Sequence, residues 1–479
     1  MGIKKNFIYN SILTISQYII GLITFPYITR ILGASNIGTL GFVDNTINYF
    51  GIFATLGISI IGTREIARNQ KNKEKLEKIF SSLIIIIFIY TCITLLLYLT
   101  SILLINKLNI HKELFFIGSA KLIFLAFSID WLFKGFENFK LIAIRNITIK
   151  GIYVILIYIF IKNKEDYVIY YILTVSTVGL NTLVNLYYSK KFIPFKIFKT
   201  NLKPYFKESI NLGAYSILTS TYTTFNVMYL GLVSNTLEVG YYWTSLTIYS
   251  IILGFFSAFT SVMMPRMSNL ISIGDHDMFN HLIERSFNIL FSICFPIMIG
   301  SVILSPEIIH VLTGSEFAGA ITPMRIIMLL IVVVGIAQIL AIQVLVPMKF
   351  DKIILKASIM GALIGLICNI ILVKKYGAIG TAFVLLISEL SVTSIYIINI
   401  LRNKTIQFPW KSLVTNFCIS IPIAIICISC QLLIDYQISI IVVAFFASLL
   451  YYILANVILI KNKELIYLTN KLKAYFNKN

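Results

Sequence analysis

FSSLIIIIFIYTCITLLLYLTSILLI, Phe80 to Ile105, carries no charged side chain and exceeds the ~20 apolar residues that a helix needs to cross a hydrocarbon core. Working outward, comparable runs fill the chain from Phe7 to Ile460. They lie near 7–31, 37–61, 80–105, 113–133, 143–161, 167–188, 209–233, 239–264, 287–304, 320–346, 353–373, 377–401, 413–433 and 438–460. Short basic or polar turns separate them. Backbone groups in lipid must pair within their own segment, which a helix achieves and an open strand does not. The expected fold is therefore an all-α polytopic membrane protein with about 14 transmembrane helices. The 479 residues agree, being 58% hydrophobic and 13% charged with mean hydropathy +0.89, against ~25% charged in soluble domains. Loops 62–79, 189–207 and 265–286 are too short for a core of their own. Function must lie between helices.

The first run lacks a small-residue cleavage site after it and is read as a retained span. Alternating the loops puts 31 of the 40 Lys and Arg on the side of the N-terminus and 8 on the other, with Lys121 inside a span. Cytoplasmic loops carry such an excess, so both termini are expected in the cytoplasm. The same bias explains the net charge of +20. No nucleic-acid-binding pattern of interleaved basic and aromatic residues occurs, and membrane lipids with anionic headgroups are the expected neighbours.

The six cysteines fall within spans, and Cys427 and Cys430 read as small core residues rather than a redox or metal pair. Asp275, His276, Asp277 and His281 read as a solvated connection, so no metal site is expected. Neither a nucleophile elbow nor a P-loop is present, and no cofactor is expected.

Several spans carry polar residues in stripes. Asn10, Thr14, Gln17, Gly21 and Thr24 recur at helical spacing in the first span. Gly41, Asn45, Asn48 and Thr55, with Asp44 beside them, do so in the second, and Tyr215, Thr219, Tyr222 and Asn226 in the seventh. Small and hydroxylated residues also join membrane helices by packing alone. Three stripes together favour a polar cavity. Ser11-Ile-Leu-Thr14 recurs as Ser216-Ile-Leu-Thr219, and Gly38 and Gly240 open the spans that follow. This echo suggests two pseudo-symmetric six-helix lobes, 1–200 and 201–401, followed by two helices and a tail in 402–479, an arrangement on which rocking transporters are built.

Among the few charges within spans, Asp44, Lys121, Asp130 and Glu389 stand out, with Arg30 and Arg325 near the ends. Each central charge costs at least ~2.5–3.5 kcal/mol to insert, so it should face water, a partner or a substrate. Asp44 and Lys121 could form a structural ion pair. Alternatively, Lys121 and Arg30 meet an anion while Asp44 couples them to an ion, and Glu389 is a second coupling candidate. Asp130 reads first as a structural cap.

The chain resembles the polysaccharide flippases of the Wzx type, members of the multidrug/oligosaccharidyl-lipid/polysaccharide exporter superfamily. The resemblance rests on FPYITRILGASNIG (Phe25 to Gly38), TREIA (Thr63 to Ala67), DWLFKGFENFKLIAIRN (Asp130 to Asn146) and YTTFNVMYLGLVSNTLEVGYY (Tyr222 to Tyr242). MMPRMS (Met263 to Ser268), GSEFAGA (Gly314 to Ala320) and QILAIQVLVPM (Gln338 to Met348) extend it nearly end to end. It implies two six-helix lobes, often with two further helices. It also implies that an undecaprenyl-pyrophosphate-linked oligosaccharide is moved by alternating access across a bacterial inner membrane. A central polar, cationic cavity would then be lined by Arg30, Lys121, Asn10, Gln17, Asn45, Asn48, Tyr222, Asn226, Arg325 and Gln343. A proton or sodium ion is the expected coupling ion, and a polysaccharide polymerase and assembly proteins are the expected partners. Where the family often has an acidic residue, this chain has Asn226.

The task is physically sensible. A sugar pyrophosphate cannot cross hydrocarbon unaided, because its hydroxyls and charges would be stripped of water. Moving two negative charges outward is electrically downhill by ~4–5 kcal/mol per 100 mV. A drug or cation antiporter of the same superfamily would want acidic residues gathered in one lobe, whereas here the buried charges have mixed sign. A lipid II flippase fits the TREIA and DWLFKG stretches less well. A glycan-modifying membrane enzyme would need a long charged outer loop or an embedded His, and neither occurs, so no enzymatic activity is expected.

Overall fold

The computed structural model describes residues 3–194, 198, 201–403 and 406–456, and among them there is no strand. In the first half of the chain the helices are α1 (Ile3–Thr55), α2 (Ile58–Asn69), α3 (Lys73–Leu104), α4 (Asn106–Asn109), α5 (Lys112–Ala126), α6 (Asp130–Gly135), α7 (Phe139–Phe160) and α8 (Tyr167–Ser189). The second half continues with α9 (Lys203–Thr221), α10 (Thr224–Val233), α11 (Thr236–Ile273), α12 (His276–Ile303), α13 (Ser305–Thr313), α14 (Ile321–Met328), α15 (Leu330–Gln338), α16 (Asp351–Cys368) and α17 (Lys374–Arg402). A last pair, α18 (Trp410–Leu433) and α19 (Gln437–Ala455), has a small core of its own around Ile423, Cys427, Ile440 and Ala444, seated on Leu304. Short polar residues start several of these helices where the sequence turns. Asn72, Asn235 and Asp275 each accept a hydrogen bond from the backbone three residues on, a cap worth ~1 kcal/mol.

Among the described residues, eleven stretches are long and apolar enough to cross a membrane. They differ from the expected spans at three places, each with a physical cause. Residues 16–55 and 351–402 are each continuous helical stretches of 40 and 52 residues, about twice the length of one crossing. The first turns at Gly33, with φ 75°, and the second at Gly377, with φ 51°. Only glycine enters that left-handed region freely, so one residue does the work of a loop. The third difference is the expected seventh span, broken at Tyr222–Thr223 into α9 and α10. Buried Tyr222 seats on Gly361 and Gly365 of α16 there. Two π-helical turns, Ile339–Leu345 and Asn369–Val373, precede and follow α16 in the chain.

The loops gather at two ends in the order that the charge count implies. At the Lys-poor end, Asn36 donates to the Lys164 carbonyl at 2.8 Å, and Lys164 pairs with Glu316 at 2.6 Å. Ser35 meets Thr236 at 3.1 Å, Lys107 reaches the Ser234 carbonyl at 2.9 Å, and Glu238 accepts from the Ala378 amide at 2.7 Å. At the Lys-rich end, Arg64 grips Glu208, Gln70 donates to the Gly135 carbonyl, and the Phe198 amide donates to Ser81.

Between these ends the two halves of the chain pack most extensively through α1 and α11. Their crossing is at Gly38 and Gly240. A Cβ on Gly38 would lie 1.7 Å from the Thr236 carbonyl oxygen, and one on Gly240 would lie 2.1 Å from that of Ala34. The halves meet again near the Lys-rich end, where a Cβ on Gly57 would lie 2.8 Å from the Ser209 carbonyl and one on Gly213 would lie 2.5 Å from Leu56. Small residues let membrane helices approach at backbone distance, and both contacts use them.

Candidate functional site

Asp44 and Asn48 stand on α1 between the two glycine contacts, and Lys121 reaches them from α5. The Lys121 ammonium donates to one Asp44 carboxylate oxygen, and the Asn48 amide donates to the other at 3.1 Å. Lys121 is buried, with 7% of its side chain exposed, whereas Asp44 keeps 20%. The ion pair is thus internal to the first half, with its acid on the more open side. Asn45, one residue on, turns away and donates to the Gly41 carbonyl at 2.9 Å. Gly41 itself lies against the Trp243 ring of α11.

Arg30 and Arg325 are not part of this group. Both lie at the Lys-poor end and hold the same short helix, α13: Arg30 donates to the Val311 carbonyl and Arg325 to the Ser305 hydroxyl at 2.9 Å. The expected cationic residues therefore divide into one neutralised lysine inside the first half and two arginines fastening an end. Gln17 is exposed on α1. The side chain of Asn10 lies outside the described residues.

The expected second-half residues are packed more tightly than a water-lined stripe would be. Asn226 is fully buried, donates to the Tyr222 carbonyl at 2.7 Å and accepts from Asn369 at 2.8 Å. Gln343, in the first π-helical turn, is fully buried with both amide atoms unpartnered, and the Ser388 hydroxyl is unpartnered as well. Buried polar groups without partners are costly to hold in a folded core. Glu389 on α17 is half-buried with no hydrogen bond or ion pair to the described residues. Tyr215, Tyr222, Tyr249 and Tyr396 lie within electrostatic reach of its carboxylate. Among the described residues no cluster of His, Cys, Asp and Glu fit for a metal ion occurs.

Some partners escaped the sequence reading. Asp130 accepts from Arg145 at 3.0 Å and from Asn185 at 2.8 Å, tying α6, α7 and α8 together. Arg145, one of the 31 cations that the loop alternation puts on the side of the N-terminus, has only 4% of its side chain exposed. Its place late in the DWLFKGFENFKLIAIRN stretch, on the helix that Asn138 caps, was the available signal. A row of rings also crosses from one half to the other: Phe53 to Tyr49 at 5.5 Å, Tyr49 to Phe225 at 5.3 Å and Phe225 to Tyr229 at 5.8 Å.

Two apolar recesses open along the seams between halves. One, about 180 Å³, lies between α1 and α11 at Phe25, Pro26 and Ile248. The other, about 490 Å³, lies between α1, α3 and α9 at Tyr49, Phe53, Tyr90 and Ile210. Beyond the second, Arg64 and Glu208 form a two-point pair at 2.6 and 2.8 Å. The Arg64 guanidinium holds the Glu208 carboxyl below the usual carboxylate range, and Glu208 raises Arg64 in turn.

Known proteins share this architecture. The "Putative O-antigen transporter" of Escherichia coli (strain K12) is 25% identical over 407 residues, covering 84% of this chain and 98% of its own. "Probable low-salt glycan biosynthesis flippase Agl15" of Haloferax volcanii is 25% identical over a shorter part, 39% of this chain and 41% of its own. Among solved structures, the lipid II flippase MurJ in an inward closed conformation superposes with a TM-score of 0.77 at 19% identity, over 95% of this chain and 99% of that one. Residues 3–271 match the family described as polysaccharide biosynthesis protein. With more than half its length matched, running from the first helix through α11, the chain belongs to the polysaccharide biosynthesis protein family.

Proposed function

We propose that this protein flips a lipid-linked oligosaccharide repeat unit, held through a pyrophosphate on an undecaprenyl chain, from the cytoplasmic to the outer leaflet of a bacterial inner membrane. The carrying observation is the likeness to an O-antigen transporter over 84% of this chain and 98% of that one. The fold shared with a lipid II flippase agrees with it. In this reading the Lys-rich end faces the cytoplasm, as loop charge dictates, and both termini lie there. Gly33 and Gly377 each join two crossings, and α9 with α10 makes one more, giving fourteen. Residues 1–200 and 201–401 act as two rocking halves, and α18 with α19 forms an accessory pair.

The glycine contacts at both ends are where the halves part and rejoin, so that one end opens while the other stays shut. Asp44 and Asn48 face the path between them. Glu389, with its tyrosine surround, and the Asn226–Asn369 pair are the places where a proton or a sodium ion would couple to the movement. No bond is made or broken in this scheme, and a polymerase acting on the delivered unit is the natural partner. Deleting the gene should cause lipid-linked repeat units to accumulate inside and surface polysaccharide to disappear, read by mass spectrometry of extracted lipids. Intact surface glycan in the deletion strain would overturn the reading.

A further inference from the structure

We propose that the groove between α1, α3 and α9 seats the polyprenyl chain of the substrate at the cytoplasmic leaflet. This rests on the flippase reading and deepens it.

The walls decide the chemistry. The groove is about 490 Å³, within the ~300–1,000 Å³ common for ligand sites. Tyr49, Phe53, Ile93 and Leu97 present carbon to it. The Tyr90 hydroxyl at its edge is already engaged by Ser209 at 2.6 Å. A sugar ring placed here would leave its hydroxyls unpaired, whereas a hydrocarbon chain loses nothing. The rim faces the bilayer, since Ile93 is 54% exposed, Leu97 56% and Ile210 46%.

Position narrows the occupant further. The groove runs along the seam between the two halves, where a headgroup held inside must let its tail out. It lies toward the Lys-rich end, and Lys207 stands one helical turn before Ile210 on α9. On α2, Arg64 is taken up by Glu208, whereas Arg68, 3.5 Å from Glu65, keeps 66% of its side chain exposed. Exposed Lys207 and Arg68 therefore stand beyond the apolar groove, complementary to a phosphate joined to a long tail. The bed of rings suits a methyl-branched, unsaturated chain through dispersion contact, and the prenyl chain is taken as the occupant rather than a phospholipid acyl chain.

The test uses the full-length protein in nanodiscs and a sugar-free polyprenyl phosphate with a photoreactive group in its tail. Labelling should fall on peptides containing Tyr49 to Leu56 and Tyr90 to Leu97. Unlabelled undecaprenyl phosphate should displace it, and an equal amount of phosphatidylglycerol should not. The pair Ile93→Trp and Leu97→Trp fills the groove from α3 and should cut labelling about tenfold. Ile210→Trp does so from α9 and serves where the α3 pair inserts poorly. Equal displacement by phosphatidylglycerol, or full labelling in correctly inserted Ile210→Trp protein, overturns the proposal. Label concentrated at Leu22 to Pro26 on the opposite seam would also overturn it while leaving flipping intact. Absence of displaceable label anywhere on the protein would count against both readings.

Discussion

Lys121 and Asp44 neutralise each other inside the first half, so changing one strands the other. Removing one partner of a buried ion pair costs up to ~3–5 kcal/mol, and the partial exposure of Asp44 puts this pair at the lower end. Lys121→Ala should therefore lower the melting temperature in detergent, and adding Asp44→Asn should restore part of the loss. A double mutant no more stable than Lys121→Ala would show that the two charges act separately. If Asp44→Asn alone keeps the fold but abolishes transport, the carboxylate serves coupling as well as packing. Both residues were visible in the sequence as charges too deep to be idle. Their pairing was only one of two readings, because partners 77 positions apart are joined by tertiary structure and not by spacing. Arg145 escaped for a related reason: a positive charge near a turn looks cytoplasmic until the helix carrying it is seen to run inward.

At the scale of elements, the crossing of α1 and α11 carries a sharp expectation. A side chain on Gly38 would collide with the backbone of α11, which cannot yield as a flexible side chain would. Gly38→Leu should hold the Lys-poor end apart and abolish transport while the protein still inserts. The check is a disulfide between Ser35→Cys and Thr236→Cys, whose hydroxyls lie 3.1 Å apart. It should form readily in the parent protein and poorly alongside Gly38→Leu, and equal yields would rule out the wedge. Hydrophobic runs revealed the helices because length and apolarity are local properties. They could not show that Gly33 and Gly377 replace loops, since a left-handed glycine looks like any other in a sequence. Nor could they show the break at Tyr222, which exists because Gly361 and Gly365 make room for that ring.

Across the whole molecule, the Arg64–Glu208 pair fastens the Lys-rich end, and its response to pH follows from its sign. The Glu208 carboxyl titrates below its unfolded value, chiefly through the hydrogen bond from Arg64. Its contribution is thus present above the ordinary Glu value of ~4.3 and lost as pH falls through the lowered one. The melting difference between the parent and Glu208→Gln should be flat from about pH 8 to pH 5 and shrink in stronger acid. Side chains about a third exposed limit the effect to under ~1 kcal/mol, and salt should weaken it. A difference that grows on acidification would contradict the pairing. The clustering of the loops at two ends was legible in the sequence, because it follows from the alternation of apolar runs. The arrangement of the interior was not, since the expected cations separate and meet partners as far as 281 positions away.

The glycine joints also bear on how the chain is made. At Gly33 little beyond Ser35 and Asn36 has to be hauled through the insertion machinery, whereas Gly377 brings Lys374 and Lys375 with it. Each such pair of crossings would slip sideways into lipid as one unit, the second bearing the added cost of two lysines.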